Sequence, residues 1–178
     1  MLPTRILRNN NNIIITRVRT AAMSTTLQKP VPIALIGIHT SIGSAVAEGL
    51  RPDWDVVCFI QSFRDAQSQL PHLLRGSPLP ESPSNNDVGS GDLTHGPVRA
   101  VLFGRGFSQQ EAQTLYASLG AEGGGSAPPV VWVAGDEARR PAGFDPPAGI
   151  ERVMIPIFRD ALEKWEAEGA SETKIVLY

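Results

Sequence analysis

Short apolar runs alternate with helical patterns over most of the chain. Four continuous apolar runs, each bounded by turn residues, predict strands buried on both faces at residues 32–36, 56–60, 98–103 and 130–134, and a final strand is predicted at 174–178. Apolar residues at helical spacing predict helices at 41–50, 63–74, 108–119 and 158–168. This alternation predicts an α/β fold, a three-layer sandwich with a mostly parallel sheet of about five strands.

Local signals refine the ends of these elements. Ser108 and Glu111 form a capping-box pattern that opens the third helix, and Gly120 is expected to end it in a left-handed conformation. Pro71 is expected to break the second helix near its end, and Gly169 to end the last one. Residues 150–157 are predicted as a short strand or an extended approach to the last helix.

The first part of the chain has the composition of a targeting segment. No acidic residue precedes Glu48, whereas several arginines and hydroxyl residues do, which is typical of a mitochondrial transit peptide. Met23 is a plausible translation start, so residues 1–22 are alternatively an upstream extension. Residues 1–30 are predicted as a disordered leader or transit peptide. We expect a mitochondrial location if residues 1–22 are translated and cleaved, and a cytoplasmic one otherwise.

Residues 31–178 are predicted to form a single domain. The segment 76–97 is rich in Pro, Ser, Gly and Asn, and it reads as a mobile loop because the alternating pattern resumes after it. The formal net charge is −2, so no strong basic field indicates a nucleic-acid partner. No apolar run approaches the roughly 20 residues that span a membrane. The single cysteine, Cys58, is expected to be buried and inert.

A glycine pattern follows the first predicted strand. Residues 33–43 read IALIGIHTSIG, in which Gly37 provides a tight turn and Gly43 allows a helix to pack close to the strand. Thr40 stands at the position where backbone would approach a pyrophosphate, and the following helix start presents free N–H groups. Two interpretations stay open: a phosphate cradle, or glycines that only join a strand tightly to a helix.

The turn IGIHTSIG resembles the G-x-x-G-x-x-G turn of the atypical and extended short-chain dehydrogenase/reductases, including the NmrA-like group. Gly37, Thr40 and Gly43 match its three positions, with Thr40 in place of the middle glycine. The likeness extends at lower specificity over residues 32–178, and it implies a Rossmann-like fold for the single domain 31–178. It implies a dinucleotide bound at the turn and near the glycine after the third strand, by Gly37, His39, Thr40, Ser41, Ile42, Gly43 and Gly104.

The end of the second strand bears on the choice of dinucleotide. Sites that prefer NAD place an acidic residue there to bind the ribose hydroxyls. This sequence has Gln61 instead, and Arg64 is close enough to meet a 2′-phosphate. We therefore expect NADP as the cofactor, with a solvated arginine at the start of a helix as the alternative interpretation of Arg64.

The reactive groups of the resembled family are missing. Its carbonyl reductases use a Tyr-x-x-x-Lys pair, but neither Tyr116 nor Tyr178 is followed by lysine at the fourth place. Asp136 and Glu137 follow the fourth strand, and two interpretations of them stay open: a role in proton transfer, or a solvated turn. No catalytic residue is assigned. The expected function is a small NADP(H)-binding protein related to oxidoreductases, or a non-catalytic accessory or regulatory protein. The final strand, if unpaired, favours a homodimer or pairing with a partner subunit.

Overall fold

A computed structural model describes residues 29–79, 87–120, 128–139 and 147–178. The strands are β1 (Val31–Ile36), β2 (Trp54–Ile60), β3 (Ala100–Phe103), β4 (Val131–Ala134) and β5 (Lys174–Leu177). The helices are α1 (Thr40–Leu50), α2 (Phe63–Arg75), α3 (Gln109–Leu119) and α4 (Glu151–Ala167). Helices cover both faces of a five-stranded sheet, which confirms the predicted α/β sandwich.

Residues 1–28 lie outside the described part of the chain, so the predicted leader and both predicted locations stay predictions. Lys29 is the first residue that the structure describes. Its Nζ lies 2.9 Å from a carboxylate oxygen of Glu166 and 3.8 Å from the centre of the Trp54 ring. Lys29 therefore contacts both the end of α4 and the start of β2.

All strands of the sheet run parallel, in the order β2-β1-β3-β4-β5. The sequence order reverses between β1 and β3, which is the switch point where ligands bind in open α/β sheets. This order is one of the two common doubly wound arrangements. The second common arrangement has a further strand beyond β2. In this protein, a short segment of the 76–97 loop lies along the outer edge of β2 in place of that strand.

Residues 88–91 cover the outer edge of β2. The N–H groups of Ser90 and Gly91 donate to the carbonyl oxygens of Val56 and Val57, each at 2.9 Å. A Cβ on Gly89 would lie 2.6 Å from the Val57 carbonyl oxygen, so glycine permits this close approach. Residues 80–86 of the predicted mobile loop lie outside the described part of the chain.

The two faces of the sheet carry different pairs of helices. The α1/α4 layer packs α1 and α4 on the strand residues that include Ile33 and Leu35, whereas the α2/α3 layer packs α2 and α3 on those that include Ala34 and Ile36. Each strand thus alternates its side chains between two buried layers, as expected of a parallel sheet. The three tryptophans lie in these layers and are at most 1% exposed.

The position of α4 gives one connection an unusual hand. From β3 to β4 and from β4 to β5, the chain steps across the sheet in the same direction. The first step passes through α3 on one face of the sheet, and the second passes through α4 on the opposite face. The β4–α4–β5 connection therefore has the hand opposite to the other three. Because parallel crossovers are right-handed in about 98% of cases, this unit is an exception. It brings the start of α4 beside the start of α1, at the carboxyl ends of the strands.

The prediction of a strand or extended segment at residues 150–157 is wrong, because α4 begins at Glu151. The β-branched residues and Pro156 gave this segment a local preference for extended structure. Packing overrides that preference. The side chains of Met154 and Phe158 are four residues apart, so they fall on one face of a helix and are buried in the α1/α4 layer.

Two predicted helix ends are also corrected. Pro71 does not break α2, which continues to Arg75 and ends at Gly76 with a left-handed φ of 66°. The buried faces of Leu70 and Leu73 keep this turn helical. Gly120 is right-handed, with φ −68°, because its N–H donates to the Tyr116 carbonyl oxygen in an ordinary helical bond. The predicted capping box of α3 is confirmed.

Candidate functional site

A cavity of about 240 Å³ lies at the carboxyl ends of β1 and β3, between the first turns of α1 and α4. Its walls are mostly apolar. They come from both strands, both helices and the loops after β1 and β3: Leu35, Ile36, Gly37, Ile38, His39, Ile42, Gly43, Val46, Phe59, Gly104, Arg105, Gly106, Ile150, Met154 and Phe158. The cavity thus occupies the switch point at which the strand order predicts a ligand.

The structure brings together three glycines that the sequence singled out. Gly37 and Gly43 both face the ring of Phe59: a Cβ on Gly43 would lie 2.8 Å from two of its carbons, and a Cβ on Gly37 would lie 3.0 Å away. Gly104 lies beside Gly37, and its N–H donates to the Ile36 carbonyl oxygen at 2.7 Å. The missing Cβ atoms therefore admit Phe59, so close packing of helix and strand is one role of the glycine pattern.

The start of α1 presents unpaired backbone donors. His39 precedes the helix, and its side chain makes no capping bond. The first bond of the helix runs from the Gly43 N–H to the His39 carbonyl oxygen at 3.0 Å, which leaves the N–H groups of Thr40, Ser41 and Ile42 without a partner in the helix. The first turn contains no acidic residue. These donors and the helix dipole suit an anion.

Gln61 holds the glycine turn in place from the end of β2. Its Nε2 donates to the Ile38 carbonyl oxygen at 2.9 Å and lies 3.3 Å from Thr40 Oγ1. Arg64 is exposed in the first turn of α2 and does not line the cavity. Thr40 and Ser41 are also exposed. The predicted cofactor residues therefore divide into a group at the cavity and a group along the exposed rim.

Arg105 is a cavity residue that the sequence reasoning passed over. Its guanidinium lies 4.7 Å from the centre of the Tyr178 ring and 3.5 Å from the Tyr178 main-chain oxygen. No Asp or Glu side chain within the described ranges pairs with Arg105. The sequence does contain a signal for it, because Arg105 lies between Gly104 and Gly106 directly after a buried strand. The charge is half-buried at the cavity wall, where it favours an anionic group.

Neither tyrosine is placed to donate a proton into the cavity. The Tyr178 hydroxyl donates to the Phe103 carbonyl oxygen at 2.8 Å, and burial raises the pKa of this phenol well above its usual range. The Tyr116 hydroxyl donates to the Thr173 carbonyl oxygen at 3.3 Å. Both hydroxyls are thus bonded to main-chain oxygens, and neither tyrosine is followed by the lysine of a Tyr-x-x-x-Lys pair.

The acidic pair after β4 stabilises a turn. Asp136 accepts from the Ala138 N–H at 2.9 Å and lies 3.5 Å from Arg139 Nε, within a single 3-10 turn that also contains Glu137. Among the described residues, no group of three or more His, Cys, Asp or Glu side chains could hold a metal ion. No helix in the same part of the chain is long and apolar enough to cross a membrane.

Comparison with known proteins gives one relative and no family. No protein-family model matches the chain, and no solved structure matches it. Kojic acid related protein 6 of Aspergillus oryzae is 29% identical to this chain over 150 residues, which are 82% of this chain and 86% of that protein. The chain is thus similar to this fungal protein along most of the length of both.

Proposed function

We propose that the protein binds a dinucleotide, NADP(H) in preference to NAD(H), with the pyrophosphate at the start of α1. The observation that carries the proposal is the set of three N–H groups without helical partners at Thr40, Ser41 and Ile42, at the carboxyl end of β1. Gly37 and Gly43 support it through the tight turn and the close helix packing that such sites need. Membership of the short-chain dehydrogenase/reductase family is part of the same proposal.

The preference for NADP(H) rests on the end of β2. Gln61 stands in the position of the acidic residue that binds ribose hydroxyls, and its amide is already bonded to the glycine turn. Arg64 is exposed on the first turn of the next helix and supplies a positive charge for a 2′-phosphate. The dinucleotide would lie along this rim, because a cavity of about 240 Å³ is below the usual size of even a drug-sized ligand site.

The test is a calorimetric titration of the full chain with NADPH and with NADH. We expect NADPH to bind at least about tenfold more tightly, since a hydrogen bond between charged groups, here Arg64 and the 2′-phosphate, contributes on the order of 1.5–3 kcal/mol. Thr40→Glu should abolish binding, because a carboxylate at the first turn repels phosphate while favouring the helix dipole. Ser44→Glu, one turn further along α1 and exposed, is the matched control and should bind normally.

Arg64→Gln separates the two cofactors. It should weaken NADPH about tenfold and leave NADH unchanged, whereas Lys164→Gln, far along α4, should change neither. Equal losses for both dinucleotides would remove the proposed 2′-phosphate contact. If neither dinucleotide binds the folded protein, the proposed function is wrong and the glycines serve packing alone.

A second candidate is a non-catalytic accessory or regulatory protein. Both tyrosine hydroxyls are engaged with main-chain oxygens, and β5 ends the sheet with Leu177 39% exposed. An open strand edge can pair with another chain, including a second copy. Sedimentation should then show a concentration-dependent dimer that Leu177→Lys weakens and Val153→Lys, an exposed site on α4, does not.

The two candidates differ in turnover. A carbonyl screen with NADPH would detect an oxidoreductase, and consumption of NADPH by the pure protein would exclude a purely accessory role. Kojic acid is the first compound to include, because the name of the Aspergillus oryzae relative links that protein to it.

A further inference from the structure

We propose that the cavity between α1 and α4 binds a small organic anion, a one- or two-ring compound of about 10–13 heavy atoms whose carboxylate faces Arg105. Such a molecule would enter with its ring toward the apolar floor and its carboxylate toward the loop after β3. The proposal differs from the dinucleotide proposal because it rests on Arg105 and the apolar floor, although the two share part of the glycine turn: Gly37, His39, Ile42 and Gly43 also line the cavity.

The size of the cavity sets the size of the ligand. An apolar cavity of about 150 Å³ is known to bind a benzene ring. The present cavity, at about 240 Å³, has room for one or two rings with a small substituent. It opens beside the glycine turn, where the exposed Ile38 and His39 border its mouth.

The walls of the cavity favour an apolar ring. Val46 comes from α1, Phe59 from β2, and Met154 and Phe158 from α4. Two of these side chains are aromatic and offer edges or faces to a ring, and methionine adapts to irregular shapes. Each is at most 4% exposed, so a ligand in contact with them would be shielded from water. Burial of apolar surface then stabilises the complex.

Arg105 supplies the charge that fixes the orientation. Its side chain lies against Gly135, where a Cβ would come within 3.4 Å of Arg105 Cδ, and over the Tyr178 ring. Tyr178 is itself anchored to the Phe103 carbonyl oxygen and packs edge-on against Phe158, with ring centres 5.7 Å apart. Arg105 lines the cavity, and its guanidinium is held by packing over Tyr178. No Asp or Glu side chain within the described ranges pairs with it, and its polar partner is the Tyr178 main-chain oxygen. A carboxylate suits it because guanidinium and carboxylate pair through two parallel hydrogen bonds.

The test compares 2-naphthoate with its neutral isostere 2-naphthamide and with inorganic phosphate, by calorimetry on the full chain without a dinucleotide. We expect naphthoate to bind at least about tenfold more tightly than naphthamide, and phosphate not to bind measurably. Arg105→Gln should remove the preference for naphthoate over naphthamide. Arg139→Gln, an exposed arginine already paired with Asp136, is the matched control and should keep it.

Met154 provides a direct reporter at the cavity wall. The chain has three methionines, at positions 1, 23 and 154, so ¹³C labelling of methionine methyl groups gives a simple spectrum in which Met154→Leu identifies the cavity signal. Naphthoate should shift this signal and leave the other two unchanged. If the folded protein binds neither aromatic compound, or binds them with no shift at Met154 and no effect of Arg105→Gln, the proposal is overturned.

The outcome is separable from that of the dinucleotide titration. Binding of naphthoate without NADPH binding would support this cavity and reject the proposed function. Binding of NADPH without naphthoate would do the reverse. Phosphate that binds as tightly as naphthoate in the wild type, and loses that binding in Arg105→Gln, would show that Arg105 selects the anion alone, and it would overturn the role of the apolar walls.

Discussion

The two helical layers begin their helices in different ways. In the α2/α3 layer, the hydroxyls of Ser62 and Ser108 accept hydrogen bonds from N–H groups in the first turns of α2 and α3. In the α1/α4 layer, neither His39 before α1 nor Ile150 before α4 makes a side-chain cap. Caps satisfy helix donors at the expense of any ligand that would use them. The α2/α3 layer therefore has capped helices, whereas α1 leaves donors available. At α4 the main-chain oxygens of Gly149 and Ile150 accept from the Arg152 and Val153 N–H groups.

The packing of the layers follows the same division. On the α2/α3 side, Trp132 stacks on Phe103 with ring centres 6.1 Å apart and meets the edge of Tyr116 at 5.8 Å. On the α1/α4 side, Phe59 and Phe158 border a cavity. A protein interior normally has few voids larger than a water molecule. A cavity beside uncapped donors, at the switch point of the sheet, therefore distinguishes the α1/α4 side from the closely packed α2/α3 side.

Truncating the centre of each layer should give the largest contrast. Trp132→Ala removes a fully buried side chain from close packing, and it should lower the free energy of unfolding by about 3–5 kcal/mol. Met154→Ala should cost about 2 kcal/mol, because that side chain already faces a cavity and has fewer contacts to lose. Urea denaturation measures both changes. Equal costs would contradict the difference in packing, and Trp132→Phe provides a milder variant if Trp132→Ala does not fold.

Alkaline pH should weaken the α2/α3 layer through its buried thiol. Burial raises the pKa of Cys58 from its ordinary value of 9.0 to about 11. The unfolded chain releases this proton first, so the thiol contributes its full stability below pH 9 and loses it as the pH rises through 11. The loss is roughly 2–3 kcal/mol. The pKa of Tyr178 is also raised by burial, so the difference between wild type and Cys58→Ala in urea titrations from pH 8 to 11 isolates the thiol.

The glycine turn packs against Phe59 within the α1/α4 layer, and one substitution tests how tight that contact is. Gly43→Ala would place a Cβ 2.8 Å from the Phe59 ring, which is 3% exposed, so we expect a loss of about 1–3 kcal/mol. Adding Phe59→Leu should recover part of it, a coupling of about 0.5–3 kcal/mol in a double-mutant cycle. Ser44→Ala, exposed on the same helix, is the control. Additive effects would show that the ring moves aside freely.

Much of the fold could be predicted because apolar periodicity is a local property. Every strand and the helices α1, α2 and α3 follow from runs and spacings within about a dozen residues. The segment 150–157 failed because Pro156 and its β-branched neighbours favour extended structure locally. Its helical form depends on burial of Met154 and Phe158 against a distant part of the chain.

The site was predictable to the extent that it lies at strand ends. Gly37, Gly43 and Gly104 follow buried strands, and the carboxyl ends of parallel strands meet at one edge. The rest of the cavity depends on the face that α4 covers. The usual crossover hand would place α4 in the α2/α3 layer. The convergence of Arg105 and Phe158 could therefore not be inferred from the pattern of strands and helices alone.

Removing the Ser108 cap of α3, in the α2/α3 layer, should have a moderate effect on stability. The Ser108 hydroxyl accepts from the Glu111 N–H at 3.1 Å, and the Glu111 carboxylate accepts from the Ser108 N–H at 2.8 Å. Ser108→Ala should lower the free energy of unfolding by about 1 kcal/mol. It should leave NADPH affinity unchanged, because Ser108 lies outside the cavity lining. If Ser108→Ala changed NADPH affinity but not the free energy of unfolding, the α2/α3 layer would contribute to binding and not to stability, contrary to this comparison.

Adding a cap to α1, in the α1/α4 layer, should change stability least among these variants. It also tests most directly whether the uncapped donors of α1 serve a ligand. His39→Asp gives α1 the acceptor that it lacks, and it should raise the free energy of unfolding by about 0.5–1 kcal/mol. The same carboxylate would occupy the first-turn N–H groups and repel phosphate, so NADPH affinity should fall although the fold becomes more stable. His39→Ala, which adds no acceptor, should do neither. Thermal unfolding and calorimetry on the three proteins measure both quantities. A more stable variant with undiminished NADPH binding would show that the uncapped donors of α1 serve no ligand.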